Sequence, residues 1–337
     1  MSVEVVAEVG VNHQGDRSCA ERMIRQVSAS GASAVKFQTF SADSLARIDT
    51  PKAAYQQEHD LAASHLEMLK SLELSRGDHE HLFVLCRELG IEFMSTPYGI
   101  DDAAFLDRLG VRRFKTSSAD IIDLPLHHYL ASTGKPVLIA TGMASDGEIE
   151  QALTCYGDNL DRLTLMHAVS MYPTPIAVAN LKRIRILKET YDVRVGFSDH
   201  TIGGEAAKLA VALGAEVIEK HVTESLDLPG PDHAASLVLD DLSGYVEAII
   251  QAEEAVGDGH AIRTPEEEEF AGVARKSPYL AKPIEIGQRL TERHICLQRP
   301  GTGETYASIA GAIGRFAVRS LPSAAPLHFA DFEEYRE

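Results

Sequence analysis

The sequence has little positive charge and no long apolar run. Its 32 lysine and arginine residues stand against 50 aspartate and glutamate residues, which gives a formal net charge of -18 at pH 7. Because nucleic-acid phosphates bind to basic surfaces, this balance argues against a nucleic-acid partner. No apolar stretch reaches the roughly 20 residues that a membrane-spanning helix needs, so we expect no membrane partner. A small anionic substrate is not excluded, since a local group of lysines and backbone N–H groups can bind one.

Cysteine is scarce and dispersed. The four cysteines, Cys19, Cys86, Cys155 and Cys296, form no CxxC pair. We interpret them as buried thiols of a cytoplasmic protein, and a disulfide or metal role is the alternative. The first residues lack a basic segment followed by an apolar one, so no signal peptide is expected.

Short apolar, β-branched runs alternate with longer amphipathic segments. Eight runs have the composition of buried parallel strands: Val3–Val9, Ala34–Gln38, Ile91–Ser95, Arg113–Thr116, Val137–Thr141, Leu163–His167, Arg194–Phe197 and Glu216–His221. Helices are predicted at Cys19–Ala29, Asp78–Leu89, Asp101–Leu109, Asp146–Thr154, Glu205–Leu213 and Asp241–Val256. A strand–helix unit repeated eight times predicts an α/β fold, a (β/α)8 TIM barrel of about 250 residues. A doubly wound sheet is the alternative, but no GxGxxG turn follows the first strand.

Polar residues and glycines mark the predicted helix ends, and the type of predicted secondary structure changes near Arg275. Asp101 and Asp146 are predicted N-caps, and helices are expected to end at Gly31, Gly90, Gly110 and Gly214. The long segment between Phe40 and Leu74 predicts an amphipathic helix over His59–Lys70 and a substrate lid. After Arg275, short strands and turns replace the helices. We therefore predict a catalytic domain at residues 1–258, a linker at 259–277 and a small domain at 278–337.

The predicted strands all end in polar residues, at the end of a barrel where active sites lie. In strand order these residues are Glu8, Lys36 with Gln38, Thr96, Lys115, Thr141, His167, Ser198, and Glu219 with His221. Since buried charge is costly unless it is paired or used, eight polar strand ends predict an active site.

The residues at and near these strand ends form two sets with different chemistry. Lys36, Thr96, Lys115, Ser118 and Ser198 combine ammonium groups with hydroxyl donors, which suits a phosphate or a carboxylate. The alternative is that both lysines form salt bridges inside the barrel.

The second group is His200 and His221, at the ends of adjacent strands. Two neutral imidazoles suit a divalent ion that polarises a carbonyl, whereas structural hydrogen-bonded histidines are the alternative. Asp199 and Glu219 are candidate partners of the histidines or spare ligands. Glu8 is a candidate general acid or base, or a structural partner of a lysine.

Ten ordered motifs resemble those of the bacterial sialic acid synthases, which make N-acetylneuraminate, legionaminate and pseudaminate from phosphoenolpyruvate. The motifs cover nearly the whole chain: Ala7–Gly15, Val35–Thr39, Ser95–Pro97, Gly134–Pro136, Thr141–Met143, Tyr172–Pro175, Gly196–Thr201, Glu219–Thr223, Pro229–His233 and Arg299–Gly303. The resemblance implies a TIM barrel followed by a small, β-rich, antifreeze-like (SAF) domain. It also implies condensation of phosphoenolpyruvate with an N-acylated amino-sugar aldehyde, either N-acetylmannosamine or a 2,4-diacetamido-2,4,6-trideoxyhexose.

The resemblance further implies roles for individual residues. Glu8 is essential, and His200 and His221 hold a divalent ion, Mn²⁺ first and Mg²⁺ or Co²⁺ as alternatives. Phosphoenolpyruvate is held at Lys36, Thr96, Lys115, Ser118 and Ser198, and Gln38 and Ser170 belong to the same substrate site. Tyr172 and Asp232 contact the sugar. The resemblance implies a domain-swapped homodimer in which Arg299 enters the partner's barrel and binds the acylamino group.

A few positions depart from the family pattern. Ala140 precedes Thr-Gly-Met where a serine is common, Ser170 stands in place of an asparagine, and Asp120 in place of a glutamate. These departures affect the expected sugar specificity more than the expected class of reaction. Condensation with a non-acylated aldose is the alternative enzyme activity, and a non-catalytic carbohydrate-binding protein is the alternative from another class.

Overall fold

The eight predicted strands form one barrel-like parallel sheet. The computed structural model describes residues 3–53, 56–57, 60 and 62–334, and the chain divides into two units between Gly257 and Asp258. The strands of the first unit are β1 Glu4–Gly10, β2 Ala34–Thr39, β3 Glu92–Pro97, β4 Phe114–Thr116, β5 Val137–Ala140, β6 Leu163–Ala168, β7 Arg194–Asp199 and β8 Val217–Thr223. Their hydrogen-bonded order is β3-β2-β1-β8-β7-β6-β5-β4, so the two ends of the order are also consecutive in the chain. A short strand, β9 Leu237–Val238, pairs with the end of β8. The TIM barrel is confirmed.

Helices follow the strands around the barrel. They are α1 Arg17–Ala29, α2 Ala42–Leu45, α3 His65–Leu72, α4 Arg76–Leu89, α5 Ile100–Leu109, α6 Leu124–Ser132, α7 Asp146–Thr154, α8 Lys182–Tyr191, α9 Glu205–Ala212 and α10 Leu242–Val256. The six predicted helices all form, with ends shifted by a few residues. Helices α6 and α8 fit the predicted strand–helix alternation, but no range was predicted for either of them. Among the described residues, every helix is too short or too polar to cross a membrane.

The two predicted N-caps are wrong by one and two residues. Ser145 caps α7, because its side chain accepts a hydrogen bond from the Glu148 N–H, and Asp146 is the first residue of the helix. Gly99 is the N-cap of α5, and Asp101 lies in its first turn. Carboxylates in a first turn interact favourably with the free N–H groups there, so a cap and a first-turn aspartate look alike in sequence. The glycines at 31, 90, 110 and 214 all have positive φ at or directly after helix ends.

An apolar plug fills the inside of the barrel below the polar strand ends. It consists of Val6, Ala34, Met94, Leu138, Met166 and Val217, all of them buried. A larger apolar layer lies between the strands and the surrounding helices. Because side chains alternate along a strand, each inward apolar residue is followed two positions later by another inward residue, nearer the C-terminal end. The plug therefore leaves the C-terminal end of the barrel for polar groups.

The segment between β2 and β3 carries α3 across this C-terminal end. Met68, Leu69 and Leu72 of α3 pack with Val11 and Phe40 in a separate apolar cluster. The predicted helix over His59–Lys70 is present from His65 onward, whereas residues 59 and 61 lie outside the described residues. The lid role of this segment stays a prediction.

The second unit contains helix and short strands around its own core. Within the predicted linker, Pro265–Ala274 form α11, which is capped by Thr264. The elements that follow are β10 Ser277–Leu280, β11 Ile295–Gln298, α12 Tyr306–Ala310, β12 Phe316–Ala317 and β13 Phe332–Glu333. β10 pairs with β11 and β12 with β13, both antiparallel.

All four cysteines are free; Cys19 and Cys86 are buried as predicted, but Cys155 and Cys296 are only half-buried.

Gly196 in β7 tests how tightly the barrel is packed. A Cβ at this position would overlap Met166 Sδ and lie 2.7 Å from the Val217 carbonyl oxygen. We expect Gly196→Ala to lower the free energy of unfolding by about 1–3 kcal/mol, as overpacking usually does. Gly244→Ala in α10 is the control, because no atom lies within 4 Å of its added Cβ. There alanine should stabilise by roughly 0.5–1 kcal/mol. Urea denaturation measures both, and an unaffected Gly196→Ala protein would contradict this account of the packing.

Candidate active site

A polar cavity of about 380 Å³ opens at the C-terminal ends of the strands. The predicted site residues that line it are Glu8, Lys36, Gln38, Thr96, Lys115, Ser118, Ser170, Tyr172, Ser198, His200 and His221. The structure thus brings together every predicted site residue except Asp232, which lines an adjoining cavity, and Arg299, which belongs to the second unit. Arg299 directly follows β11 and is exposed there, and its role stays a prediction.

Four buried charges form the floor of this cavity. Lys36 Nζ lies 2.8 Å from Glu8 Oε2 and 3.7 Å from Glu219 Oε2, and Lys115 Nζ lies 3.5 Å from Glu219 Oε1. We call these four residues the charge quartet. Each is almost completely buried. Burial is tolerated because the two carboxylates and two ammonium groups compensate each other.

The surroundings within the quartet give the carboxyl groups of Glu8 and Glu219 widely different pKa values. Burial raises the pKa of Glu8 to about 7, against the opposing attraction of Lys36. Burial acts in the same direction on Glu219, but Lys115 and Lys36 together outweigh it and lower the pKa of Glu219 to about 2. Near neutral pH, Glu8 can therefore take up or release a proton while Glu219 remains an anion. Two carboxyl groups with separated pKa values are the usual basis for distinct acid–base roles.

Hydroxyl groups and one backbone N–H surround the ammonium groups. Lys36 Nζ donates to Thr96 Oγ1 at 3.1 Å, and the Gly142 N–H donates to Ser118 Oγ at 3.1 Å. A Cβ on Gly142 would lie 2.5 Å from Ser170 Oγ and 2.7 Å from Ser118 Oγ, so a side chain at this position would displace these hydroxyl groups. Ammonium groups combined with directional donors suit a small anion. Ala140 also lines the cavity and supplies no donor of its own from its side chain.

The two histidines stand side by side above the quartet. The ring centroids of His200 and His221 are 5.7 Å apart, and the Tyr172 ring lies 4.2 Å from that of His200. His200 Nδ1 lies 2.8 Å from the Val169 carbonyl oxygen, which can only accept, so Nδ1 carries the hydrogen and Nε2 keeps a lone pair. Burial lowers the pKa of His200, and burial followed by repulsion from His200 lowers the pKa of His221 well below its usual value.

This pair has the chemistry of a metal site with few protein ligands. His221 Nδ1 is buried and makes no hydrogen bond to the described residues; Asp232 Oδ2 is 3.7 Å away. Neutral imidazoles with available lone pairs are good ligands for divalent transition metals. Within the described ranges, no group of three or more His, Cys, Asp or Glu side chains is arranged to hold an ion. An ion at this pair would therefore complete its coordination with water or substrate oxygens.

A second cavity of about 350 Å³ adjoins the first, and one of its walls is apolar. We call it the apolar cavity after this wall, which is formed by Val11, Phe40, Leu45, Met68, Leu69 and Leu72. Thr50, Gln56 and His65 line its other side, and it shares Gln38, Tyr98, Ala119, Tyr172 and His221 with the first cavity. Asp232 adds a carboxyl group, and burial raises its pKa to about 6. The histidine pair thus lies where a cationic cavity and an apolar cavity meet.

Sequence reasoning missed three residues of this site. Glu219 was considered only as a partner or ligand of the histidines, although it shares the inward face of β8 with His221. Tyr98 lines both cavities and donates to Gln38 Oε1 at 3.3 Å, and Gly142 separates two serines. All three residues lie within or next to a motif at the end of a strand, and this position in the sequence could have identified them.

Comparison with known proteins agrees with the geometry. Residues 23–261 match the model of the NeuB family, and residues 275–333 match the model of the SAF domain. The chain belongs to the NeuB family. The predicted SAF domain and the predicted membership of the sialic acid synthase family are thereby confirmed, and with them the prediction of a carbohydrate-biosynthetic transferase.

Several relatives extend over nearly the whole chain. The N,N'-diacetyllegionaminic acid synthase of Legionella pneumophila is 39% identical over 93% of this chain and 90% of its own length. The enzyme of the same name from Campylobacter jejuni is 36% identical over 94% of this chain and 96% of its own length. The crystal structure of N-acetylneuraminic acid synthetase from Leptospira borgpetersenii, in complex with citrate, aligns with a TM-score of 0.73 and 31% identity over 80% of this NeuB-family chain and 90% of its own.

The acidity of Glu8 gives a testable pH dependence. The folded protein holds the Glu8 proton up to about pH 7, whereas an unfolded glutamate loses it near its ordinary pKa of 4.5. Folding therefore takes up a proton between pH 4.5 and 7, and stability falls as pH rises through that window. Relative to Glu8→Gln, which does not titrate, the wild-type protein should lose about 1–3 kcal/mol of unfolding free energy across it.

Urea denaturation at several pH values, in the presence of EDTA, measures this difference. Glu254→Gln, an exposed change on α10, is the control for the loss of one carboxyl group. A wild-type protein that gains stability over Glu8→Gln as pH rises from 4.5 to 7 would show that the Glu8 pKa is lowered instead.

Proposed function

We propose that this NeuB-family enzyme condenses phosphoenolpyruvate with the aldehyde form of a 2,4-diacetamido-2,4,6-trideoxyhexose, giving a legionaminic-acid-type product and phosphate. The observation that carries the proposal is the junction of the cationic and the apolar cavity at the histidine pair. The names of the two relatives at 39% and 36% identity point to the same product class.

The cationic cavity is the proposed phosphoenolpyruvate site. Lys36 and Lys115 provide charge, and Thr96, Ser118 and Ser198 provide directional donors to the phosphate and carboxylate oxygens. With Glu8 ionised the quartet is neutral as a whole, so a bound anion then adds net negative charge to a buried place. That addition favours the protonated form of Glu8 in the complex, while Glu219 stays paired with both lysines.

The chemical step forms one carbon–carbon bond and breaks one carbon–oxygen bond. The methylene carbon of phosphoenolpyruvate attacks the aldehyde carbon, and the aldehyde oxygen gains a proton to become a hydroxyl. The carbon that bears the phosphate becomes electron-poor, and water adds to it and loses one proton, which leaves a hydroxyl group. This hydroxyl group becomes the ketone as the bond from carbon to the bridging oxygen breaks, and its proton passes to the phosphate that leaves. Glu219, as a fixed anion, stabilises the electron-poor carbon, and Glu8 exchanges protons near neutral pH.

The residues at the histidine pair fit a divalent ion. His200 and His221 would hold it, Mn²⁺ in this proposal with Mg²⁺ or Co²⁺ as alternatives, and it would polarise the aldehyde oxygen. Tyr172 packs against both imidazoles and limits their movement. Asp232 lies on the apolar side of the pair, where it can bind a sugar hydroxyl.

The apolar cavity is the proposed basis of the sugar preference. A 2,4-diacetamido-2,4,6-trideoxyhexose carries three methyl groups, two in its acetamido groups and one at C6, whereas N-acetylmannosamine carries one. Burial of a methyl-sized group is worth about 0.8 kcal/mol. The wall formed by Leu45, Met68 and Leu69 offers this burial. Thr50, Gln56, His65 and Asp232 in the same cavity are left for the amide and hydroxyl groups of the sugar.

Phosphate release with a panel of acceptors tests the proposal. With Mn²⁺ and phosphoenolpyruvate, we expect kcat/KM for the diacetamido sugar to exceed that for N-acetylmannosamine by about tenfold or more, and mannose to give no release above background. Leu45→Gln should reduce this preference by raising the KM of the diacetamido sugar. Leu209→Gln, exposed on α9, is the matched control.

Two results of this assay would contradict the proposal. Equal rates with mannose and with acylated sugars would favour the non-acylated alternative. Sugar binding without phosphate release from any acceptor would favour a carbohydrate-binding protein.

We further propose a domain-swapped homodimer in which Arg299 completes the sugar site of the partner. The proposal is supported by the resemblance of the Arg299–Gly303 motif and by the exposure of Arg299. Arginine suits the carbonyl oxygen of an acylamino group because its guanidinium offers several donors in a fixed plane.

Mixing two inactive variants tests the exchange. Glu8→Gln removes the barrel carboxylate and Arg299→Ala removes the guanidinium, so a mixed dimer contains one fully intact site if Arg299 acts on the partner. Random pairing then restores about a quarter of wild-type activity, because half of the dimers are mixed and each has one active site in two. If Arg299 acts within its own chain, co-refolded mixtures stay inactive.

A further inference from the structure

A second buried ion pair lies behind the histidines, outside both cavities. Lys220 Nζ is 3.1 Å from Asp199 Oδ2, and both side chains are almost fully buried. Neither residue lines the cationic or the apolar cavity. Because side chains alternate along β8, Lys220 faces the helix layer while Glu219 and His221 face the cavity. The pair is therefore not part of the substrate-binding surface described above.

The hydrogen bonds of this pair converge on the backbone that carries His200. Asp199 Oδ1 accepts from the Thr201 N–H at 2.9 Å and from Thr201 Oγ1 at 2.7 Å. Asp199 Oδ2 accepts from Lys220 Nζ and, at 3.2 Å, from Tyr245 Oη. Lys220 Nζ also donates to the Thr201 carbonyl oxygen. We call Asp199, Thr201, Lys220 and Tyr245 the clamp.

The clamp connects the two strand ends at the residues next to both imidazoles. Asp199 and Thr201 flank His200, and Lys220 directly precedes His221. His200 has a further restraint in the Val169 carbonyl, but His221 Nδ1 has no hydrogen bond to the described residues. The position of His221 relative to His200 therefore depends on how β8 is held against the end of β7, and Lys220 makes that connection through its side chain.

A contribution to stability does not by itself explain why Lys220 and Asp199 form a buried ion pair. Two buried charges lose their hydration, and apolar residues of similar volume often stabilise a core equally well. A carboxylate with four donors does, however, fix the surrounding backbone, and metal ligands must be placed within about 0.2 Å. A fixed geometry is what two imidazoles need if they are to act on one ion.

We propose that the clamp positions His200 and His221 for divalent-metal binding. This inference rests on the proposed function, because it takes the histidine pair as the metal site. Asp199, Lys220 and Tyr245 are positioning residues in this proposal, since they touch neither the ion nor the substrates. Loss of the clamp should weaken metal affinity and leave the phosphoenolpyruvate cavity intact.

Two clamp variants and a matched control test the proposal in the full-length protein. Tyr245→Phe removes one donor to Asp199, and Asp199→Asn/Lys220→Met removes both charges at similar volume. The control is Tyr156→Phe, which removes another buried tyrosine hydroxyl, one that lies 2.9 Å from His127 Nδ1 and lines neither cavity. Electron paramagnetic resonance of free Mn²⁺, without substrates, gives the Kd; thermal unfolding in EDTA gives the stability of each apo-protein.

We expect the Mn²⁺ Kd to rise about 3–10-fold in Tyr245→Phe and about 10–100-fold in the double variant, the range seen when groups that orient metal ligands are removed. The Tyr156→Phe protein should bind Mn²⁺ like wild type at a comparable loss of stability. The KM for phosphoenolpyruvate at saturating Mn²⁺ should stay within about twofold. If the double variant does not fold, Tyr245→Phe still decides the question.

Two outcomes would overturn the proposal, and His221→Ala separates them. If His221→Ala loses Mn²⁺ binding but folded clamp variants bind like wild type, the clamp does not position the histidines and the metal site stands. If His221→Ala binds Mn²⁺ as tightly as wild type, the proposed metal site fails, and the clamp proposal fails with it.

Discussion

The rest of the site depends on the mutual compensation of four charges inside the barrel. Glu8, Lys36, Lys115 and Glu219 are held within ion-pair distance and almost without solvent. An unpaired ion in this place would cost several kcal/mol, so each member is stabilised by the charges of the others. The barrel makes the arrangement possible because β8, β1 and β2 are neighbours and Lys115 of β4 reaches Glu219 across the barrel, above one apolar plug.

The surroundings of the quartet give its two carboxyl groups different properties. Lys115 and Lys36 keep Glu219 ionised, whereas burial raises the pKa of Glu8 to about 7. Burial also lowers the pKa of the neighbouring histidines, so their neutral, lone-pair-bearing forms are favoured. In the proposed mechanism, proton exchange, charge stabilisation and metal binding therefore belong to different residues because of their surroundings and not because of residue type alone.

The fold could be predicted from the sequence more completely than the site. Buried parallel strands are continuous apolar runs, so all eight were visible, and their polar ends identified most of the cavity lining. Helix α8, for which no range was predicted, has the sequence Lys-Arg-Ile-Arg-Ile-Leu-Lys and buries only Ile184 and Leu187, so its apolar content is low although these two residues share one face. Glu219 was undervalued because Glu219, Lys220 and His221 are consecutive polar residues, and only the strand's orientation shows which of them face inward. The pairing of Glu8 with Lys36 depends on the register of β1 with β2, which no local sequence pattern encodes.

The proposed anion site is compatible with a net charge of -18 because surface charge and buried charge act over different distances. At physiological ionic strength, exposed charges are screened beyond about 8 Å, so the acidic surface contributes little inside the barrel. Within the cavity, Lys36 and Lys115 are shielded from water, and an incoming anion would meet ammonium and hydroxyl groups already held in place. In the proposal, the carboxylates that neutralise these lysines do not prevent binding, because Glu8 can take up a proton when a further negative charge arrives. The protonation of one buried carboxyl group would thereby connect the stability of the empty barrel with its capacity for an anionic substrate.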